Sequence, residues 1–320
     1  MNVSIHAFNA SLYDSTSVVV AMTVFFPSLV GLAFYLTFVI GVFTTKDYRE
    51  SSYFHLAATV GIYECIELVA LMAYSTPCIL ASQSLGGDLV NKLMGSLITT
   101  VWFATFPLLC CLAFNRYCSI CRKDLLPHYF SKSKVYLMEL ISLTFGLGFG
   151  IASCFQCCHL LFDPLWYAWS WDITARGAQI LSYLDMAVCG LAAVIAGSFN
   201  LVVFREYVKI HRRIAPSLHT DEHEARRKTR EFRLFFQFFV TAMFLALFDV
   251  AFVMVPFLNP SKWIYLGVTL MYICQCSNNG YVYIFCNKQI REKLGHTIKR
   301  CVCNLSLKKL MESTTQSTGK

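Results

Sequence analysis

Charged residues are scarce in this chain of 320 residues. Aspartate, glutamate, lysine and arginine together make up 14% of it, whereas hydrophobic residues make up 56%. A soluble domain usually carries about 25% charged residues. Eight prolines and sixteen glycines are too few for a low-complexity or linker-rich chain. No internal repeat of about 20 to 50 residues is present, which excludes solenoids and propellers. This composition indicates a membrane protein.

Motifs of metal sites and of intramembrane enzymes are also missing. No Cys-x-x-Cys pair stands near a pair of histidines, so a zinc site is not expected. No span contains Gly-x-Ser-x-Gly, a pair of aspartates or His-Glu-x-x-His. Most of the fifteen cysteines lie in apolar runs, where cysteine acts as a small packing residue. We therefore expect no catalytic residue and no cofactor, apart from a sodium ion considered below.

Seven apolar segments are long enough to cross a bilayer, which takes about 20 residues in a helix. They cover residues 18–45, 53–80, 93–115, 135–161, 179–204, 234–258 and 263–286. We predict an all-α membrane protein with a bundle of seven transmembrane helices over residues 18–286. Residues 1–17 form an N-terminal tail in this prediction.

The basic residues are distributed unevenly between the two sides of these spans. Of the 27 lysines and arginines, 24 lie on one side, and the other side holds only Lys92, Arg176 and Lys262. Cytoplasmic loops carry the excess of basic residues, so the N-terminus is predicted outside the cell and the C-terminus inside. Asn2 and Asn9 begin glycosylation sequons in the outer tail. The net charge of +8 reflects this asymmetry and attraction to anionic lipid, and it requires no nucleic-acid partner.

Arg116 ends the third span in the string Asn115-Arg116-Tyr117, which resembles Asp-Arg-Tyr of rhodopsin-like receptors. An arginine at the membrane edge is costly unless it has a function. The resemblance implies that it contacts a heterotrimeric G protein when the inner face opens. Because asparagine replaces the aspartate, Glu231 at the base of the sixth span is the candidate resting partner. The basic third inner loop, residues 205–233, forms either two helical extensions or a docking surface, and these interpretations are compatible.

The seventh span ends with a second motif of this kind. The segment 279–283 resembles Asn-Pro-x-x-Tyr of the same receptors, with Gly280 in place of the proline. Either residue weakens a helix, so a local kink is still expected. Asn279 and Tyr283 match the polar pair of the signalling switch.

The residues after the seventh span predict a helix on the membrane surface. Within 287–303, apolar residues recur every four positions with basic residues between them, which is typical of an amphipathic helix on the inner leaflet. Cys301 and Cys303 lie at its end, where the resemblance implies palmitoylation; two unmodified thiols are the alternative. Residues 304–320 form a cytoplasmic tail in this prediction.

Four acidic residues within the spans should face the bundle interior: Glu64, Glu67, Asp185 and Asp249. Glu64 is either a neutral, hydrogen-bonded packing residue or part of the polar core that faces Asn279 in rhodopsin-like receptors, where a sodium ion binds. Asp185 and Asp249 either contact the ligand or bond within the bundle. Glu139, near the inner end of the fourth span, is expected to reach the lipid headgroups.

The outer loop 163–176 is rich in aromatic residues, which are Trp166, Tyr167, Trp169 and Trp171. They either anchor the loop at the bilayer interface or form a lid over a ligand pocket. Many rhodopsin-like receptors tie this loop to the third helix by a disulfide, but no cysteine stands at the head of that helix. Cys78 with Cys157 or Cys158 is a candidate substitute, although spacing alone does not establish a disulfide.

The predicted ligand pocket lies in the outer half of the bundle. Ile98 occupies the place where amine receptors carry an aspartate, so an amine salt bridge is not expected there. The aromatic residues nearby favour apolar odorants or small lipids as ligands. The pocket residues are predicted to be Ile98, Trp102, Phe106, Trp166, Trp169, Asp185 and Tyr272.

The order of short motifs across the spans resembles the nematode serpentine chemoreceptors of class T or class X. The resemblance covers roughly residues 20–295 and is carried by 52–56, 61–64, Gly95, 102–103, 112–116, 230–237 and 287–291. It implies a chemosensory G-protein-coupled receptor that binds a small molecule from outside the cell. The first span lacks the usual asparagine, the fifth a central proline and the sixth Cys-Trp-x-Pro. These departures leave the activation route beyond Arg116 open.

A ligand-gated channel or a transporter that uses the buried acids is the alternative function. Inverted repeats or paired broken helices would support a transporter, and the sequence contains neither. A channel of the insect odorant-receptor type would have its N-terminus inside, against the distribution of basic residues.

Overall fold

The computed structural model describes residues 15–172, 174–214 and 261–286, together with a few positions between 243 and 255. Several predicted features lie outside the described residues, namely Asn2, Asn9, Glu231, Asp249, the surface helix 287–303 with Cys301 and Cys303, and the side chain of Tyr283. Most of the predicted sixth span lies outside them as well.

The described part of the chain is mostly helical. Its helices are α1 (Ser15–Thr44), α2 (Lys46–Arg49), α3 (Ser52–Ala70), α4 (Thr76–Ala81), α5 (Gly87–Cys121), α6 (Leu126–Tyr129), α7 (Lys132–Ser153), α8 (Arg176–Ile214) and α9 (Lys262–Cys286). A π-helical turn, Leu71–Ser75, joins α3 to α4. Five helical runs are long and apolar enough to cross a membrane: α1, α3 with α4, α5, α7 and the part of α8 up to Glu206. α9, the predicted seventh span, is less apolar because Gln275, Ser277, Asn278 and Asn279 lie within it.

Helices suit these segments because a backbone in hydrocarbon must satisfy its polar groups internally. Hydroxyl groups along the spans also find partners within their own helix, as Ser28 does at the carbonyl of Val24, 2.8 Å away. α5 and α8 continue past the predicted ends of their spans, to Cys121 and Ile214. Apolar composition marks the part of a helix inside the bilayer and does not mark where the helix ends.

α5 lies at the centre of the described bundle, where it packs against α3, α7 and α8. Small residues allow α7 to approach it closely. A Cβ atom added at Gly146 would lie 2.2 Å from the Thr100 carbonyl oxygen, and one at Gly150 would lie 1.8 Å from the Thr100 hydroxyl. Ser142, one turn before Gly146, donates a hydrogen bond to the carbonyl of Ala104. Small residues at four-residue spacing thus form the interface between the two helices.

The outer loop folds into a two-stranded antiparallel hairpin of β1 (Leu160–Asp163) and β2 (Ala168–Trp171). The predicted fourth span therefore extends too far, since α7 ends at Ser153. His159 contributes to this end because its Nδ1 lies 2.9 Å from the carbonyl oxygen of Ser153 and caps it. Leu160 and Leu161, which are apolar enough to continue a span, are buried or half-buried in the hairpin instead.

Asn91 fastens this hairpin to α5. Its Nδ2 donates to the carbonyl of Phe162 at 3.0 Å, and its Oδ1 accepts from the Phe162 N–H at 2.9 Å. Gly95, one turn further, lets β1 come close, because a Cβ atom there would lie 1.9 Å from the Leu160 carbonyl oxygen. The head of the third helix thus holds the outer loop through an asparagine.

The disulfide considered between Cys78 and Cys157 or Cys158 is absent, since all three cysteines are free. Cys78 is buried and accepts a hydrogen bond from the N–H of Leu85 at 3.3 Å. The two sulfur atoms of Cys157 and Cys158 lie beside each other, 2.7 Å apart. The candidate pairing was therefore wrong, and hydrogen bonds connect the loop to the bundle.

Candidate functional site

Arg116 is buried at the inner end of α5, and its guanidinium group lies over the ring of Tyr53. The guanidinium carbon is 3.6 Å from the ring centroid, a cation–π contact. The neighbouring Asn115 donates from Nδ2 to the hydroxyl oxygen of Ser52 at 3.0 Å. Two consecutive residues of α5 thus meet two consecutive residues at the start of α3. We call these four residues, Ser52, Tyr53, Asn115 and Arg116, the inner site.

The partner that the sequence assigned to Arg116, Glu231, lies outside the described residues. The sequence prediction missed Tyr53 because it assumed that another acidic residue takes the role of the aspartate that Asn115 replaces. The available signal was that an aromatic residue begins the second span. Arg116 ends the third span at the same level of the membrane. Both side chains are buried, with 6% of Tyr53 and 8% of Arg116 exposed. Burial strengthens a cation–π contact because water no longer competes for the cation.

Tyr117, the third residue of the motif, lies in an aromatic cluster that connects α5 to α8. Its ring is 5.5 Å from Phe199 of α8 and 6.3 Å from Phe114. Phe114 also contacts Phe130, which follows α6. The Asn115-Arg116-Tyr117 motif therefore faces two directions, towards α3 and towards α8.

In the loop that follows α5, an exposed ion pair lies outside the membrane-spanning segments. Arg122 binds Asp124 through Nε at 3.2 Å and through a terminal nitrogen at 3.0 Å. These hydrogen bonds lower the pKa of the Asp124 carboxyl below its ordinary value. Arg122 is thus an exposed basic residue near Arg116 that takes no part in the inner site.

Four side chains form a buried polar core between α3 and α9: Glu64, Glu67, Cys276 and Asn279. Asn279 donates from Nδ2 to Glu64 Oε1 at 3.2 Å, and Cys276 donates from its thiol to Glu67 Oε2 at 3.0 Å. The two acceptors are three residues apart on α3 and the two donors are three residues apart on α9, so the two bonds lie one above the other along the helices. Glu64 and Asn279 are therefore adjacent, as the resemblance to rhodopsin-like receptors implies. Among the described residues, no group of three or more His, Cys, Asp or Glu side chains is arranged to hold a metal ion.

Asp185 of α8 is the buried acid in the outer half of the bundle. It accepts a hydrogen bond at Oδ1 from the indole N–H of Trp102, 2.9 Å away, and a longer one from the thiol of Cys189 at 3.5 Å. The Trp171 indole of β2 also lies beside this carboxyl group. Its described donors thus come from α5 and α8, and the hairpin lies beside them.

Three aromatic rings lie around Trp102, the residue whose indole donates to Asp185. The centroid of the Trp102 ring lies 5.1 Å from Phe106, 5.6 Å from Phe248 and 5.8 Å from Tyr272. We call these four rings the aromatic box. Phe248, in the predicted sixth span, was not among the predicted pocket residues.

The other predicted pocket residues are distributed around this centre. Ile98 is buried one turn outward from Trp102 on α5. Trp169 is buried in the hairpin against Tyr74 and is not part of the aromatic box. Trp166 is 44% exposed and contacts Tyr265 at the outer end of α9. Trp169 and Trp171 are thus buried and Trp166 is exposed, and both the interfacial anchor and the lid over a ligand pocket stay predictions.

Glu139 does not extend to the headgroups, so that expectation was wrong. Its Oε1 lies 2.8 Å from His55 Nδ1 and accepts a hydrogen bond from the Thr59 hydroxyl at 2.6 Å. Both partners lie on α3, and the side chains of His55 and Glu139 are 17% and 15% exposed. A carboxylate with two partners inside the bundle avoids the cost of facing lipid alone, so Glu139 connects α7 to α3.

Comparison with protein families gives one match that covers most of the chain. The model of the family described as serpentine type 7TM GPCR chemoreceptor Srx matches residues 25–287. This segment includes the inner site, the polar core, the aromatic box and the hairpin. A search of curated proteins found no match.

Proposed function

The chain belongs to the Srx family of serpentine seven-transmembrane chemoreceptors, and we propose that it binds a small molecule from outside the cell and activates a heterotrimeric G protein at its cytoplasmic face. The position of Arg116 carries this proposal. Arg116 is a buried cation at the inner end of the central helix, and its guanidinium group lies over the uncharged ring of Tyr53. This contact can break without the gain or loss of a proton.

In the resting state of this scheme, the inner site is closed as described above. Tyr53 provides the attraction for Arg116 that Asn115 cannot, because an amide carries no charge. Ligand binding favours a state in which α3 and α5 no longer meet at this point, and Arg116 then contacts the G-protein α-subunit. The ligand shifts the equilibrium only through its greater affinity for that open state.

The central helix α5 connects the aromatic box to the inner site. Trp102, in the aromatic box, lies 14 residues before Arg116, which corresponds to about 21 Å along a helix. Pro107 lies between them within α5, and prolines are common points of bending because they remove a backbone hydrogen bond. Tyr117 connects the same helix to α8 through Phe199. A change at Trp102 can therefore reach α3 through the inner site and α8 through Tyr117.

The remaining roles belong to the same proposal. The ligand has an apolar or aromatic body that suits the aromatic box. The polar core, with Asn279 and Tyr283 of α9, takes part in the switch, and a sodium ion bound near Glu64 would stabilise one of its states. The protein is a multi-pass protein of the cell membrane with its N-terminus outside, glycosylated at Asn2 and Asn9 and palmitoylated at Cys301 and Cys303.

The test compares wild type with Arg116→Ala for G-protein recruitment in a heterologous cell, over a panel of odorants. Arg122→Ala is the matched control, because Arg122 is a basic residue of the same inner face and is exposed in an ion pair with Asp124. We expect Arg116→Ala to abolish ligand-evoked recruitment at normal surface expression and Arg122→Ala to retain it. A ligand-evoked current that needs no G protein would contradict the proposal and favour a channel.

A further inference from the structure

We propose that the ligand of this receptor carries a protonated amine, which binds Asp185 beside the aromatic box. The inference rests on the proposed receptor function and narrows its ligand class. The apolar body expected from the sequence remains, and a cationic head is added to it.

The first observation is that the described donors to Asp185 are neutral. They are the indole N–H of Trp102 and the thiol of Cys189, with the Trp171 indole beside them. Within the described ranges, the ion pairs of the chain involve His55, Lys92, Arg122 and Lys209, and none includes Asp185. Only 8% of Asp185 is exposed. A buried carboxylate without a cation is expensive in a membrane protein, and such residues commonly mark a binding site.

The second observation is the set of rings around Trp102, whose indole donates to Asp185. Trp102 has Phe106, Phe248 and Tyr272 around it, with centroids between 5.1 and 5.8 Å away. Aromatic faces attract cations through their quadrupole, tryptophan most strongly. A carboxylate bonded to one member of the aromatic box therefore favours an ammonium group attached to an apolar body. A bare hydrocarbon would supply no cation and would leave Asp185 as it is.

The position of Asp185 also explains how an amine could bind although α5 carries Ile98, and not an acid, at the pocket. Ile98 excludes a salt bridge on the third span, but Asp185 reaches the same region from α8 and contacts Trp102, one turn inward of Ile98 on α5. An ammonium N–H replaces the neutral indole N–H at Oδ1, because a charge-assisted hydrogen bond is stronger than a neutral one. This exchange releases Trp102, on the helix that carries Arg116.

The test uses matched sets of small molecules that differ only in their head group. Phenethylamine, 2-phenylethanol and ethylbenzene form one set, and hexylamine, 1-hexanol and hexane form another. Each compound is assayed for G-protein recruitment on wild type and on Asp185→Asn, which keeps the size of the side chain and an acceptor for Trp102. Asp88→Asn is the control, since the Asp88 side chain is 95% exposed near the start of α5.

We expect wild type to prefer an amine over its matching alcohol by about 10- to 100-fold in potency, the range expected for a hydrogen bond to a charged group. Asp185→Asn should lose this preference, whereas Asp88→Asn should keep it. The amine should also raise the melting temperature of the purified wild-type receptor and leave that of Asp185→Asn unchanged.

Three results would overturn the inference: an alcohol or hydrocarbon as potent as its amine, an amine preference that survives in Asp185→Asn, or a panel in which no amine activates or stabilises wild type. The proposed receptor function fails in a different way. If neutral odorants recruit the G protein and Arg116→Ala abolishes the response, the function stands and only the amine is excluded.

Discussion

Replacing Tyr53 with leucine should open the inner site in the absence of ligand. Leucine fills much of the same apolar space but has no ring for the guanidinium of Arg116, which lies 3.6 Å from the Tyr53 centroid. The open state does not contain this contact in our scheme, so its loss raises the free energy of the resting state alone.

The size of the effect follows from the strength of the contact. A largely desolvated cation–π contact is worth about 1 to 2 kcal/mol, and both side chains are buried here. At about 1.4 kcal/mol per factor of ten, its loss changes the ratio of open to resting receptor about 5- to 30-fold. If about 1% of the wild type is open without ligand, the open fraction of Tyr53→Leu should reach about 5% to 25%.

The assay measures nucleotide exchange on a G protein without ligand, divided by the amount of receptor at the cell surface. Tyr53→Phe keeps the aromatic face and should stay close to wild type, because phenylalanine also attracts cations. Tyr183→Leu removes a tyrosine that is 63% exposed on α8 and controls for a change in apolarity. Arg116→Ala added to Tyr53→Leu should remove the rise, since the released arginine is the group that acts.

Two results would refute this reasoning. One is basal exchange that stays at the wild-type level in Tyr53→Leu at normal surface expression. The other is a rise in Tyr53→Phe as large as in Tyr53→Leu, which would assign the effect to the phenolic hydroxyl and not to the ring.

Three further substitutions test contacts that position the site. Asn91→Ala removes both hydrogen bonds from α5 to β1, so the melting temperature of the detergent-solubilised receptor should fall by several degrees; no change would mean that the hairpin is held elsewhere. Gly95→Ala places a methyl group 1.9 Å from a β1 carbonyl and should reduce surface expression, whereas Gly148→Ala meets nothing within 4 Å and should not; equal expression would argue against the close approach. Glu139→Gln should lower the melting temperature through its bond to His55, and this effect should shrink in a His55→Ala background; additive effects would mean that the two side chains do not interact.

Several properties of this protein could be predicted from local composition. Low charge and long apolar runs indicate membrane helices, and the order of motifs such as Asn115-Arg116-Tyr117 resembles the serpentine chemoreceptors, the family that the Srx match confirms. These properties depend on residues close together in the chain. The proximity of Asn279 and Glu64 was also foreseeable, because the resemblance to rhodopsin-like receptors implies a polar core in which they face each other.

The partners of the other functional residues required the folded chain. Arg116 with Tyr53, Glu139 with His55 and Asp185 with Trp102 join residues that are between 63 and 84 positions apart. Their pairing depends on how far each helix is rotated about its axis, and hydropathy contains little of that information. In a soluble helix the apolar stripe marks the inner face, but the lipid-facing side of a membrane helix is apolar too, as the exposed Leu140 of α7 and Leu191 of α8 show. The sequence therefore established what kind of protein this is, whereas packing decided which residue holds Arg116 and which donors surround Asp185.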